Sequence, residues 1–125
     1  MSMVQGQPIF TSIASRFAVQ DRVHALAFYT RLGFESTHTD EAFAIVALDG
    51  ISIHLNASPE PSNRHAVCWI GVSNIEALYQ QYLLTLPIGL RTSAIQGPLE
   101  TKPWGLKEFC VCDPFRNLIL FACRP

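Results

Sequence analysis

The stretch QGPLETKPWGLKEFCVCDPFRN, Gln96–Asn117, sets the frame for the rest of the chain. It opens with two Gly and two Pro, which reads as a loop reaching Leu106, and then turns into a strand, Lys107 to Cys112. Asp113-Pro114 then signals a turn. Loops of this length in a compact domain are functional or disordered. Trp104 and Leu106 sit inside this one and a packable strand follows at once, which argues for function. An aromatic carried on a loop against a rigid sheet builds one wall of a ligand site.

Outward from this stretch, Leu118 to Cys123 reads as a strand, as does Leu90 to Ile95 before it. Upstream, Ser73 and Glu76 have the spacing of a capping box. Ile75, Leu78, Tyr79, Tyr82, Leu83 and Leu86 follow helical spacing, and Pro87 ends that helix. Ala66 to Val72 is a strand. Ser58 to Arg64 has two prolines and little that is apolar, and reads as a linker. The first half has the same order. Ile9 to Val19 reads as a strand, and Asp21 caps a helix to about Leu32 with Val23, Leu26, Ala27 and Phe28-Tyr29 on its buried stripe. Gly33 stops it. Phe34 to Thr39, Phe43 to Leu48 and Ile51 to Asn56 are strands, the last two joined by a strong hairpin signal, Asp49-Gly50. Ser73 stands 52 residues after Asp21, and at that offset Val23 meets Ile75 and Ala25-Leu26 meets Ala77-Leu78. Each half is strand, helix, three strands. One such unit cannot cover both faces of its sheet, so two must pack or pair. The fold class is α+β: one domain over residues 1–125, with modules of about 9–57 and 65–124.

The bulk numbers fit this. At 125 residues the chain favours one domain, long enough to bury a core without metal or disulfide. Hydrophobic residues make up 49% and charged ones only 15%, which raises the odds of apolar surface hidden in an oligomer. A net charge of −1 gives no field to steer nucleic acid or an anionic membrane. No apolar run spans a bilayer, the start lacks signal-peptide features, and Cys68, Cys110, Cys112 and Cys123 read as reduced cytoplasmic thiols.

The segments VQDRVHALAFYTRLGF, DGISIHLNA, PWGLKEF and DPFRNLILF resemble the vicinal oxygen chelate superfamily of glyoxalases, extradiol dioxygenases and bleomycin resistance proteins, and the bleomycin branch above all. The resemblance runs from about Ala14 to the C-terminus. It implies paired βαβββ modules whose curved mixed sheets form a cleft, completed in a homodimer that often exchanges N-terminal strands. It also implies non-catalytic binding and sequestration of a planar aromatic ligand, with a bleomycin-type antibiotic as the named case. The alternative is a metal-dependent lyase or dioxygenase-type enzyme of the same superfamily with an atypical site.

The superfamily's enzymes hold their metal at four strand positions, which map here to Ala14, His54, Val67 and Leu120. Only His54 carries a lone pair, and one His cannot form a closed or a three-ligand open site. This argues against activities that need the ion as Lewis acid, and no cofactor is expected. Cys110 and Cys112 read as small buried residues rather than a zinc pair. His24 and His38 read as surface residues, and His65 as a strand-edge residue. No nucleophile motif or phosphate loop occurs. Glu100 and Glu108 read as solvated charges, Asp113 as a turn residue.

Strand alternation supplies the binding surface. If His54 faces the cleft, Ser52 and Asn56 do too, while Ile51, Ile53 and Leu55 face the helices. Val67, Trp69, Leu118 and Leu120 form an apolar wall. Trp69 reads either as core or, with Trp104, as a grip on a flat ring system. In the drug-binding relatives aromatic side chains hold planar rings at positions matching Phe43, Asn56, Trp69 and Trp104, and acidic residues stand where Asp40 and Glu41 precede Phe43. Arg116 replaces the usual Gly of the Asp-Pro turn and brings positive charge beside the groove, as does Arg16 if it shares a face with Ala14 and Ala18. That favours an anionic or neutral aromatic ligand. The expected binding residues are Phe43, Ser52, His54, Asn56, Trp69, Trp104 and Arg116.

Overall fold

A computed structural model describes residues 5–59 and 66–124. It contains two four-stranded sheets of the same design. Strands β1 (Ser15–Val19), β2 (Glu35–Thr39), β3 (Phe43–Leu48) and β4 (Ile51–Ala57) form the first, in the order β1-β4-β3-β2. Strands β5 (Val67–Gly71), β6 (Ile95–Thr101), β7 (Lys107–Cys112) and β8 (Leu118–Cys123) form the second, in the order β5-β8-β7-β6. In each, the first strand pairs parallel with the last and the other pairings are antiparallel. Helix α1 (Arg22–Arg31) follows β1, and α2 (Ile75–Thr85) with a short α3 (Ile88–Ala94) follows β5.

Local chemistry explains most element ends. Asp21 caps α1, accepting from the His24 amide at 3.0 Å, and Gly33 ends it at φ 102°. Asp49 and Gly50 both have positive φ, 50° and 79°, as a two-residue hairpin of the primed type requires. The core is shared. Phe17, Val19, Ile53 and Leu55 from the first sheet join Phe109, Val111, Ile119 and Phe121 from the second, around Tyr29 and Tyr82 from the helices. Tyr82 Oη donates to the Leu32 carbonyl at 2.9 Å, tying α2 to the end of α1. Phe109 and Phe121 stack at 5.2 Å and Tyr82 meets both edge-on.

Five expectations need correction. On α1 the buried residues are Ala25, Phe28 and Tyr29, while Val23 and Ala27, expected on the buried stripe, are exposed. The strand expected at Leu90 to Ile95 is helical up to Ala94. Pro87 ends α2 and also starts α3, where its fixed φ suits the first turn and its missing N–H is no loss. The loop expected from Gln96 to Leu106 is mostly β6. Gly97 and Pro98 are absorbed where its register with β7 shifts between Gln96 and Glu100, on an edge strand that tolerates proline. The cap of α2 is Asn74, accepting from the Ala77 amide at 3.3 Å, rather than Ser73. The first strand begins at Ser15, not Ile9. Before it, Ile9, Phe10 and Ile13 of the arm stand in solvent, with Phe10 fully exposed. The linker read at Ser58 to Arg64, and His65, lie largely outside the described residues.

Candidate functional site

On the first sheet, alternation sends Ile53 and Leu55 into the core and leaves Ser52, His54 and Asn56 on the opposite face, half-buried. Register then fixes their neighbours. His54 lies between Arg16 of β1 and Ile45 of β3, and Asn56 between Ala18 and Phe43. The ring of Phe43 is 6.2 Å from His54 on one side and 4.9 Å from His38 on the other. The Asn56 side-chain oxygen accepts from Arg16 Nη2 at 2.6 Å and Nε at 2.7 Å, in the amide orientation that satisfies both groups. Asp40, in the turn before Phe43, is engaged by its own turn. It accepts from the amides of Ala42 and Phe43, and its other oxygen meets His38 Nε2 at 2.8 Å. These contacts, the His38 bond first, hold its carboxyl at a pKa of about 2.

The second sheet carries the apolar surface. Cys68 and Ile70 are buried, so Val67 and Trp69 face the other way, 62% and 57% exposed. Trp69 is therefore not core. Its indole lies over Gly71, where an added methyl would meet two ring carbons at 3.4 Å. Gly71, Ala122 of β8 and Glu108 of β7 form one cross-strand row. Trp104, 64% exposed, sits on the tight turn between β6 and β7, closed by Gly105 N–H to the Lys102 carbonyl. Its Nε1 donates to Glu108 Oε2 at 2.6 Å. The two indoles thus stand at opposite ends of this row, which is two strand spacings long, about 10 Å. A notch of about 370 Å³ opens beside Trp69, bordered by Leu106, Ala122, Cys123 and Arg124.

Glu108 corrects the expectation of a solvated charge, since it is 3% exposed. The signal was available: it alternates with Cys110 and Cys112, so it shares the face that Trp104 covers. Cys110 and Cys112 are half-buried, and burial raises both thiol pKa values.

The Asp-Pro turn joins the two halves. Asp113 Oδ1 accepts from the amides of Phe115 and Asn117, both at 2.8 Å. Its Oδ2 accepts from Tyr29 Oη at 2.8 Å and Asn117 Nδ2 at 2.9 Å. Asn117 Nδ2 also reaches the Ala18 carbonyl in β1. Burial, then the Asp113 charge, pushes the Tyr29 phenol far above its ordinary pKa. Arg116 is exposed in this turn at φ 70°, the left-handed region where Gly is at ease.

Of the four positions that the superfamily resemblance assigns to metal ligands, only His54 has a donor side chain. Ala14 is exposed ahead of β1, Val67 is exposed, and Leu120 pairs with Trp69. Their hydrocarbon side chains offer His54 no companion donor. Among the described residues no three His, Cys, Asp or Glu side chains converge. Nor do the expected binding residues form one cluster within the protomer. Phe43, Ser52, His54 and Asn56 share the first sheet's face. Trp69 and Trp104 share the second's, and among the described residues no ring contact links the groups.

No protein-family model matches the chain. A bleomycin resistance protein from Geobacillus stearothermophilus is 30% identical to it, with 82% of this chain and 89% of that protein covered. The crystal structure of a bleomycin-binding protein complexed with bleomycin matches at TM-score 0.79 and 20% identity, over 93% of this chain and all of the other. The bleomycin-binding protein of bleomycin-producing Streptomyces verticillus, complexed with copper(II)-bleomycin, matches at TM-score 0.78 and 25% identity, over 95% and 100%.

Proposed function

This chain belongs to the bleomycin resistance protein family, within the vicinal oxygen chelate superfamily, and from that kinship we propose that it binds and sequesters a planar aromatic small molecule without transforming it, a bleomycin-type glycopeptide antibiotic being the named case. The observation that carries this reading is the pair of indoles. Trp69 and Trp104 are both more than half exposed, and both border the row Gly71, Ala122 and Glu108. Water-facing tryptophans held in place, one over Gly71 and the other by Glu108, are suited to take up a flat ring, each stack adding about 0.5–1.5 kcal/mol beyond area burial. Phe43, Ser52, His54 and Asn56 supply the second surface and Arg116 the rim.

The chain works as one domain of two modules, and its groove is completed in a homodimer. The exposed apolar side chains of Ile9, Phe10, Ile13 and Val67 are what a partner subunit would cover, with the arm before Ser15 crossing over. The site of action is the cytoplasm, in keeping with four free cysteines. No helix among the described residues is long and apolar enough to cross a membrane.

Titration with bleomycin, followed by tryptophan emission, tests the reading. Saturable quenching at one drug per chain, weakened in Trp69→Ala and Trp104→Ala, is expected, with the drug recovered intact. Unchanged emission at high micromolar drug would reject the antibiotic.

A further inference from the structure

We propose that the exposed face of the first sheet holds an anion-recognising subsite at Arg16, beside His54, which takes the carboxylate or sulfonate of an aromatic ligand whose ring lies on Phe43. The proposal rests on the reading above, that the protein binds a planar ring, and names the chemistry of the group attached to it.

Three observations converge. The first is that Arg16 is fixed but not neutralised. Asn56 accepts from Nε and one Nη2 hydrogen, which leaves three of the five guanidinium N–H donors for another acceptor. An amide oxygen carries no net charge, and no carboxylate of the described residues makes an ion pair with Arg16. A guanidinium held this way keeps its full charge and loses little rotamer freedom on meeting an anion. The second is position. Arg16 is directly opposite His54 across the β1–β4 pairing, and His54 contacts the ring of Phe43, which contacts His38. A ring lying on Phe43 therefore has Arg16 two strands away, within reach of an acid on that ring. The third is the placement of the acidic groups on this face, of which Glu35 stands on β2, the strand farthest from β1. Asp40, in the β2–β3 turn, directs its oxygens to two backbone amides and to His38, so it makes no ion pair with Arg16. Glu41, its neighbour in the turn, is exposed and lies at the far end of the sheet from β1.

Two dyes with one ring system separate the terms. 8-Anilinonaphthalene-1-sulfonate carries the anion, and N-phenyl-1-naphthylamine is the same skeleton without it. In fluorescence titrations the sulfonate should bind the native chain at least about tenfold tighter, and raising salt to about 0.5 M should weaken the sulfonate alone. Arg16→Gln should remove that preference while leaving the neutral dye unchanged. Arg16→Lys should retain most of it, and Phe43→Ala should weaken both dyes. If Arg16→Gln does not fold, Arg16→Lys and the salt dependence of the native chain decide. Equal affinity for the two dyes, or a sulfonate affinity indifferent to Arg16 and to salt, overturns the subsite and leaves ring binding intact. Binding of neither dye overturns both.

Discussion

Tyr29→Phe removes one oxygen from the junction between the halves, and its effect can be followed through pH. The phenol donates to Asp113 at 2.8 Å in a site where Tyr29 is wholly buried. Asp113 keeps three other donors, the amides of Phe115 and Asn117 and the Asn117 side chain, so no acceptor is orphaned. A hydrogen bond to a charged group contributes about 1.5–3 kcal/mol net, and about 2 kcal/mol is expected for this one at pH 7. The phenol's folded-state pKa is raised, by burial first and by the Asp113 charge second. A raised pKa means stability fully present below the unfolded value, about 10, and lost as pH climbs above it. The loss is about 1.4 kcal/mol per pH unit per group, so a 2 kcal/mol advantage of the native chain over Tyr29→Phe vanishes near pH 11.5. Tyr82, also raised by burial, titrates in both proteins and cancels in the difference. Urea denaturation of both proteins from pH 7 to 11.5, followed by circular dichroism, measures the gap. A gap that stays constant through pH 11.5 refutes the buried phenol–carboxylate contact as the source of the stability, and a gap under about 0.5 kcal/mol at pH 7 refutes its strength.

Other outcomes are open to measurement. Arg116→Gly should stabilise by about 0.5–1 kcal/mol in thermal denaturation, because the residue sits at φ 70° and Gly relieves the strain at some entropic cost. Asp40 should titrate near pH 2 by carbon NMR, its contribution present above the ordinary carboxylate range and lost as pH falls through that value; His38→Ala should raise the midpoint. Glu108→Gln should leave the fold intact, release the Trp104 indole from its charged acceptor, and shift its emission, while weakening ring binding by about two- to tenfold.

Much of this architecture was legible because short-range chemistry decided it. Asp21, Gly33 and Asp49-Gly50 each demand one backbone geometry, and the alternation of Ile53 and Leu55 against His54 and Asn56 fixes a face. Where a local signal admits two solutions, tertiary context chose. Leu90 to Ile95 is too short to separate helix from strand by spacing, and Pro87 tipped it toward helix. Gly97-Pro98 reads as a loop but is equally at home in a bulged edge strand. The arm from Ile9 is apolar like a strand, yet within the protomer it lies outside the sheet. Residue type alone sends Glu108 to solvent, although its spacing from Cys110 and Cys112 puts it on a covered face. The Arg16–Asn56 contact needed the parallel register of β1 on β4, a long-range fact no local pattern encodes.

Gly71 gives the indole of Trp69 its resting place, and that has a consequence for descent. An alanine there would just touch the ring, while a branched side chain would push it outward. Selection can therefore re-aim the indole of β5 by changing the residue underneath, leaving the tryptophan itself untouched.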